Sequence, residues 1–292
     1  MSKKEIFSRL ALDLARFTAD YPGQILCPLC LTPYAEDALD SDDPLLTEEH
    51  IIPGELGGRV VTLSCKACNN THGSEIDRHL IERVRSRDIF DGHGTRPFRG
   101  RIEIAGLTVP TDIDWKAPVG EMTTFQLRQF DPAVHDAIRE RFKDGSVASL
   151  GVTMLPNYVP LRASLGVLRI GYLAMFHAVG YGYILSPAAR VVRELIADFE
   201  NVPLEVDHMA LEANSISPLP AQAIEFHGTS GASAVMVLIR LTADTTRYYA
   251  AFMPRPEVQP EHVVSVLCAA AEGLANRPNP QAQTQASSRN RR

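Results

Sequence analysis

The stretch that decides the fold begins at Cys27-Pro-Leu-Cys30 and ends at Cys65-Lys-Ala-Cys68. The two Cys-x-x-Cys pairs are separated by 34 residues, and each pair can form a tight turn whose thiolates converge on one ion. Four cysteine thiolates make a closed tetrahedral zinc site, which has no open position for water and is therefore structural. Two chance pairs in a reducing compartment are the competing explanation, but a duplicated spacing is far more specific than one pair. The sequence predicts a structural Zn²⁺ held by Cys27, Cys30, Cys65 and Cys68.

A second motif lies between and after the cysteine pairs. It reads Leu45-Leu-Thr-Glu48-Glu49-His50-Ile-Ile-Pro53, then Gly57-Gly58-Arg59-Val-Val-Thr-Leu-Ser-Cys65, and Asn69-Asn70-Thr-His72-Gly73 follows the last cysteine of the cluster. An acidic residue and a histidine before Ile-x-Pro, a Gly-Gly turn, a short apolar strand and Cys-x-x-Cys-Asn resemble the HNH nuclease motif. With a cysteine pair on either side, the arrangement is most similar to zinc-supported HNH enzymes such as the phage recombination endonuclease VII family. The resemblance covers about residues 24–90, under a third of the chain.

The resemblance implies a ββα-metal fold around one divalent cation. In such a fold a β-hairpin carries Glu49 and His50, and a helix carries Asn69. His50 would be the general base, since an imidazole with an unperturbed pKa of about 6.5 can take a proton from water near neutral pH. Glu49 and Asn69 would offer the oxygen ligands that Mg²⁺ or Mn²⁺ prefers, and His72 is a further candidate ligand or phosphate contact. The resemblance thus assigns catalytic roles to His50, Glu49 and Asn69.

Two features of the segment depart from the family pattern. The family often has a middle asparagine about five residues before the second cysteine pair, and that place falls near Arg59 and Val60 here, so another group must take its role. Side chains alternate between the faces of a β-strand, which places Glu48 rather than Glu49 on the His50 side. Because the family pattern selects the residue directly before the histidine, we expect the chain to bend there.

Charge is distributed unevenly along the chain. The 29 Lys+Arg and 35 Asp+Glu residues give a formal net charge of −6, which excludes a uniformly basic protein that coats nucleic acid. Residues 31–58 contain acidic side chains and no Lys or Arg, whereas residues 59–101 have a net positive charge. We predict local nucleic-acid contacts in this basic stretch, with a solvated helix face as the alternative for its helical arginines. The candidate residues are Arg59, Lys66, Arg78, Arg83 and Arg85.

The fold class is predicted as α+β, with an N-terminal zinc-stabilised ββα-metal HNH domain followed by a larger mixed α+β domain. The predicted divisions are an N-terminal helix in residues 1–23, the HNH domain in 24–92, the α+β domain in 93–275 and a disordered tail in 276–292. Periodicity predicts helices at residues 3–19, 74–88, 131–142, 161–178, 188–199 and 261–274, and strands at 101–109, 125–130, 150–155, 223–227, 234–241 and 248–253. The aromatic cluster of Tyr172, Phe176, Tyr181 and Tyr183 is predicted as core rather than as a base-stacking platform.

The sequence predicts neither a secretory signal nor a membrane span. No apolar stretch follows the positive charges near residue 3. The most apolar run, residues 170–185, is 16 residues long, and a membrane span needs about 18. Cysteines at metal-ligand spacing in such a chain indicate the cytoplasm as the predicted location.

The sequence therefore predicts a metal-dependent HNH endonuclease that hydrolyses phosphodiester bonds in nucleic acid, with DNA as the expected substrate. A phage-defence or mobile-element nuclease is the expected context. The alternative is a noncatalytic zinc-stabilised DNA-binding or scaffolding protein whose Glu49 and His50 are vestigial. Residues 93–275 match no motif, and substrate selection, homo-oligomer formation and binding of a regulatory partner stay open as their roles.

Overall fold

The computed structural model describes residues 2–40, 43–104, 106–114, 124–127, 131–145, 150–213, 224–228 and 233–275. Contacts divide the chain into two units, of which the first comprises Met1–Leu80, Pro160–Thr242 and Thr246–Arg292, and the second comprises Ile81–Val159 and Ala243–Thr245. Each unit contains helices and strands, which confirms the mixed helix and strand class. Which segments fold as independent domains, with the predicted boundaries after residues 23, 92 and 275, stays a prediction.

The N-terminal part of the first unit contains one helix and two small hairpins. Its elements are α1 (Lys3–Leu14), the pair β1 (Ile25–Leu26) and β2 (Pro33–Tyr34), and the pair β3 (Leu46–His50) and β4 (Val61–Cys65). α1 begins at a capping box, since Ser2 and Glu5 each accept the other's backbone N–H. It ends before the predicted residue 19 because Thr18 and Asp20 hydrogen-bond to each other in a local turn that competes with the helix.

Helix α2 (Lys66–His72) starts at the second cysteine pair and continues, through a π-helical turn at Gly73–Asp77, into α3 (Arg78–Phe90). Cys65 caps α2, since its Sγ accepts the backbone N–H of Cys68 at 3.4 Å. The predicted helix start at Ser74 is wrong, because Ser74 lies inside this helical run and its hydroxyl donates to the carbonyl of Thr71 at 3.1 Å. One extended helical segment, from Lys66 to Phe90, therefore follows β4.

The second unit contains an antiparallel sheet and a helix. β5 (Phe98–Ile104), β6 (Leu107–Asp114), β7 (Thr124–Leu127) and β8 (Leu150–Met154) lie in the order β7-β6-β5-β8. The single strand predicted at residues 101–109 is two strands, because Gly106 adopts a φ of +81° and the chain turns back. Helix α4 (Pro132–Lys143) begins as predicted, with the Asp131 carboxylate accepting the N–H of Ala133 at 2.9 Å and Pro132 in the first turn.

A long buried helix and a four-stranded antiparallel sheet complete the first unit. The elements are α5 (Pro160–Val179), α6 (Tyr181–Ile184), α7 (Pro187–Ala197), α8 (Glu205–Met209), β9 (Ala210–Glu212), β10 (Ile224–Gly228), β11 (Ala234–Thr242), β12 (Thr246–Pro254) and α9 (Val263–Ala275), and the sheet order is β10-β11-β12-β9. A Cβ at Gly171 would lie 2.7 Å from the Cβ of Ala251, so glycine is needed where α5 packs on β12. Periodicity predicted the long elements and missed α6, α8 and β9.

In the part of the chain that the structure describes, no helix is long and apolar enough to cross a membrane. The tail predicted at residues 276–292 lies outside the described residues, as do residues 128–130 of the predicted strand at 125–130 and residue 223 of the strand at 223–227.

Candidate functional site

Four cysteine sulfurs converge where the β1–β2 hairpin meets the start of α2. The Sγ atoms of Cys27, Cys30, Cys65 and Cys68 all lie within 4.8 Å of one another. The Cys30 and Cys65 sulfurs are 3.8 Å apart, which is the spacing expected of two ligands that each lie about 2.3 Å from a tetrahedral zinc ion. The predicted cysteine cluster is confirmed, and its donor set and spacing fit a structural zinc ion.

Backbone hydrogen bonds shape the turn that carries the first cysteine pair. The Cys27 N–H donates to the Thr32 carbonyl at 3.0 Å, and the Leu31 N–H donates to the Cys27 carbonyl at 2.8 Å. Leu31 takes a left-handed φ of 59°, which a residue other than glycine adopts only where surrounding contacts enforce it. The Cys65 N–H then donates to Cys27 Sγ at 3.3 Å. Backbone hydrogen bonds therefore hold the first cysteine pair both within its own turn and against the start of the second pair.

Two buried tyrosines, Tyr172 of α5 and Tyr181 of α6, hydrogen-bond to this turn. The Tyr172 hydroxyl donates to the carbonyl of Pro28 at 2.8 Å. The Tyr181 hydroxyl donates to the Leu26 carbonyl at 2.6 Å and accepts the Leu26 N–H at 2.8 Å. Burial raises the pKa of Tyr172 to about 12 and also raises the pKa of Tyr181, so both hydroxyl donors stay protonated. The aromatic cluster is buried, as predicted, and two of its tyrosine hydroxyls bind the backbone of the cysteine turn.

The β3–β4 hairpin and α2 form a ββα arrangement. Each residue of β3 pairs with one residue of β4, from Leu46 opposite Cys65 to His50 opposite Val61. His50 lies at the end of β3 with an exposed side chain. The Asn69 side-chain amide of α2 donates to the Thr47 hydroxyl at 3.0 Å and to the Glu48 carbonyl at 2.9 Å. Asn69 therefore fixes the helix against the strand that carries His50.

Glu49 faces away from His50, into the interior of the first unit. Its side chain is 2% exposed, whereas those of Glu48 and His50 are exposed. The one-to-one pairing of β3 with β4 leaves no room for the bend that we expected at this residue, so the strand keeps its regular alternation. One Glu49 carboxylate oxygen accepts the Ser64 hydroxyl at 3.0 Å, and the other forms an ion pair with Arg169 of α5. Both carboxylate oxygens thus have partners.

Arg169 and Asp77 are functional candidates that the sequence analysis missed. Arg169 is 0% exposed at the centre of α5, and its guanidinium also donates to both oxygens of Asp77, at 2.9 and 3.1 Å. Burial acts to lower the pKa of Arg169, but the carboxylates of Asp77 and Glu49 outweigh it and raise that pKa, so the guanidinium stays charged. Burial raises the pKa of Asp77 to about 6. A lone arginine in the apolar run Leu165–Phe176 was the signal that marked this cluster.

The geometry places a four-thiolate cluster, a hairpin with an exposed histidine and a helix with an asparagine in one segment. Residues 27–85 match the family model described as HNH endonuclease. The matched range of this HNH domain contains all four cysteines, β3, β4 and α2. Comparison with curated proteins and with solved structures gave no match. The closer resemblance to the endonuclease VII family stays a prediction.

His72 lies on the inner side of α2 in the HNH domain. Its side chain is 5% exposed, and its Nδ1 atom has no hydrogen-bond partner among the described residues. Burial, and then the charge of Arg169, lower the pKa of His72 to about 4. The imidazole is therefore neutral and enclosed at neutral pH, which separates it from the exposed His50.

Acid is expected to destabilise the first unit through His72. Because the unfolded state binds a proton near pH 6.5 and the folded state only near pH 4, the stability from the neutral imidazole is complete above about pH 6.5 and lost as the pH falls toward 4, a change of about 3 kcal/mol. Denaturant unfolding of wild type and His72→Gln at pH 7.5, 6 and 5 measures this change in unfolding free energy. The free energies of the two proteins should converge as the pH falls, and parallel pH profiles would contradict the assignment.

The predicted nucleic-acid-binding residues fall in different surroundings. Arg59, next to the hairpin of the HNH domain, lines a cavity of about 360 Å³ together with Arg240 of β11. Lys66 at the start of α2 forms an ion pair with Asp43, and Arg78 at the start of α3 is exposed. Arg83 and Arg85 belong to the second unit, where an Arg85 guanidinium nitrogen lies 3.5 Å from a Glu82 carboxylate oxygen. Within the first unit, the structure thus places Arg59 in the loop that joins β3 to β4, and Lys66 directly after β4, where its backbone N–H donates to the Leu45 carbonyl at 2.8 Å.

Proposed function

We propose that the chain is a metal-dependent HNH endonuclease that hydrolyses phosphodiester bonds in DNA. The observation that carries the proposal is the ββα arrangement in which a four-thiolate cluster holds the start of α2 beside β3, with His50 exposed at the end of that strand. The match of residues 27–85 to the HNH endonuclease family model supports it. A general base must be held in a fixed position and must be accessible to the water molecule that attacks the phosphodiester, and an exposed imidazole on this scaffold meets both requirements.

His50 takes the role of general base in this proposal. Its exposed imidazole, which forms no hydrogen bond with other described residues, can accept a proton from a water molecule that attacks phosphorus. Arg59, on the strand-joining loop of the same hairpin, is available to hold a phosphate oxygen. Lys66, Arg78, Arg83 and Arg85 remain predicted backbone contacts.

The catalytic Mg²⁺ or Mn²⁺ that the family implies fits only part of the predicted ligand set. A divalent cation of this kind supplies stabilisation of the charge that develops on the phosphate and on the departing 3′ oxygen. The side-chain oxygen of Asn69, Oδ1, has no hydrogen bond within the described part of the chain and suits such an ion. Glu49 does not fit as an open ligand, because it is buried and both of its oxygens are engaged. His72 is likewise enclosed, and its role as a ligand stays a prediction.

Nicking of supercoiled plasmid in Mg²⁺ or Mn²⁺ tests the proposed base. His50→Ala is expected to lower the nicking rate by about 10²–10⁴-fold, since general-base catalysis contributes that much, and to keep the zinc content and circular dichroism of the wild type. His208→Ala is the matched control, because His208 is also an exposed histidine of the first unit. Equal nicking by the His50 and His208 variants would remove His50 from the proposed mechanism.

A noncatalytic DNA-binding or scaffolding protein is the second candidate, and the engagement of Glu49 by Arg169 favours it. Wild-type protein that binds DNA with a steep salt dependence but never nicks it would select this candidate. The cytoplasmic location, the phage-defence or mobile-element context, and a homo-oligomer or regulatory partner remain proposals from the sequence.

A further inference from the structure

The two faces of β3 present two different glutamates. Glu48 and His50 lie on one face and are exposed, while Glu49 lies on the other face beside Ser64 of the paired strand. The Glu48 side chain has no hydrogen bond or ion pair within the described part of the chain, and the contact with Asn69 involves only its backbone carbonyl. The carboxylate beside the exposed imidazole is therefore that of Glu48.

The Glu49 carboxylate forms an ion pair with Arg169, a cationic side chain of the same chain. Arg169 is fully enclosed, and α5 is buried along Ala163–Phe176, so the guanidinium cannot leave Glu49 without opening the core of the first unit. With Ser64 on the other oxygen and the residue only 2% exposed, the Glu49 carboxylate is closed to an ion from solvent. A second cation there would also meet the charge of Arg169 at close range.

These contacts fix the position of β3 in the first unit. Arg169 and Ser64 hold the Glu49 side chain, and the Asn69 amide holds the adjacent Glu48 carbonyl at 2.9 Å. The backbone of residues 48 and 49 is thus anchored to α5, β4 and α2. From this fixed strand, the Glu48 and His50 side chains extend into solvent on the same side.

We propose that Glu49 is a positioning residue with Arg169 as its permanent counter-ion, and that Glu48 is the carboxylate that binds the divalent cation next to His50. The inference rests on the proposed function, and it revises the ligand set rather than the reaction. It follows from the regular register of β3 together with the burial of Glu49 and the engagement of both its oxygens by Ser64 and Arg169.

The charges of the cluster make Glu49→Gln an informative variant. One guanidinium faces two carboxylates, so removing the Glu49 charge leaves Arg169 paired with Asp77 alone. Glutamine keeps the shape and one oxygen acceptor for Arg169, and its amide can donate to the Ser64 hydroxyl. We expect this variant to fold, whereas Glu49→Ala leaves Arg169 and Ser64 without these partners.

The experiment compares Glu48→Gln, Glu49→Gln and Glu49→Ala in the full-length, zinc-loaded protein. Glu48→Gln should weaken Mn²⁺ binding by at least about 10-fold in calorimetry and nicking by at least about 100-fold, with an unchanged unfolding temperature. Glu49→Ala should lower the unfolding temperature and reduce nicking by about 10–100-fold, and Glu49→Gln should restore most of both losses, as expected for a residue that acts by holding others.

The outcomes separate this inference from the proposed function. Loss of Mn²⁺ binding in folded Glu49→Gln, with wild-type binding in Glu48→Gln, would overturn the inference and return Glu49 to the ligand set. Absence of Mn²⁺ binding by the wild type would also overturn the assignment of Glu48. Mn²⁺ binding that depends on Glu48 but is never accompanied by nicking would support the assigned ligand and defeat the nuclease proposal instead.

Discussion

A Cys65→Ser variant is expected to lose its zinc and the fold of the N-terminal part of the first unit. Cys65 is central to the cluster, since its sulfur lies 3.8 Å from that of Cys30 and also accepts the N–H of Cys68 at the start of α2. Zinc bound to four thiolates contributes an apparent ~10–16 kcal/mol, and a whole domain is stable by only about 5–15 kcal/mol. Losing one ligand should therefore abolish the cooperative unfolding transition of this part.

Zinc analysis by mass spectrometry and thermal unfolding followed by circular dichroism measure the effect. Cys268→Ser is the matched control, because Cys268 lies in α9 outside the cluster, with its sulfur 3.9 Å from the Glu205 carbonyl. That variant, like His50→Ala, should keep one zinc per chain and the wild-type transition. A Cys65→Ser protein that retained both would rule out the four-thiolate site.

The spacing of the cysteines in the sequence was enough to predict the elements that hold the four-cysteine cluster. Two cysteines with two residues between them form a tight turn, and Cys65 is also the N-cap of α2, so the cluster and the ββα order follow from short stretches of chain. Asp131 with Pro132 likewise marked the start of α4 correctly. Each of these features depends on residues that are neighbours in sequence.

The features that the sequence did not predict depend on tertiary contacts or on one backbone angle. Arg169 meets Glu49 across 120 residues of chain, and periodicity within α5 says only that an arginine interrupts an apolar run. Gly106 divides one alternating stretch into two strands because its φ is positive, which the pattern of apolar residues does not record. The family pattern suggested a bend at Glu49, but pairing with β4 enforced the ordinary alternation of the strand.

Arg169→Met is expected to cost about 3–5 kcal/mol of unfolding free energy, because it leaves two buried carboxylates without their cation. Methionine fills a similar volume in α5, so the loss comes from charge more than from packing. Arg169 also holds down the pKa of Asp77, which burial raises to about 6. Its removal raises that pKa further, so the folded variant binds protons more readily and the deficit should shrink as the pH is lowered from 7.5 to 5.

Guanidinium unfolding of three further proteins identifies the cause of the loss. Arg162→Met removes an arginine from the same helix that pairs with Glu75 at 2.7 Å but is 21% exposed, and it should cost no more than about 1 kcal/mol. Adding Glu49→Gln and Asp77→Asn to Arg169→Met removes the unpaired charges and should recover much of the stability, whereas adding either one alone should recover less. If Arg169→Met lost no more unfolding free energy than Arg162→Met, the buried charges would not interact as the structure places them. The same would follow if neither added substitution reduced the loss.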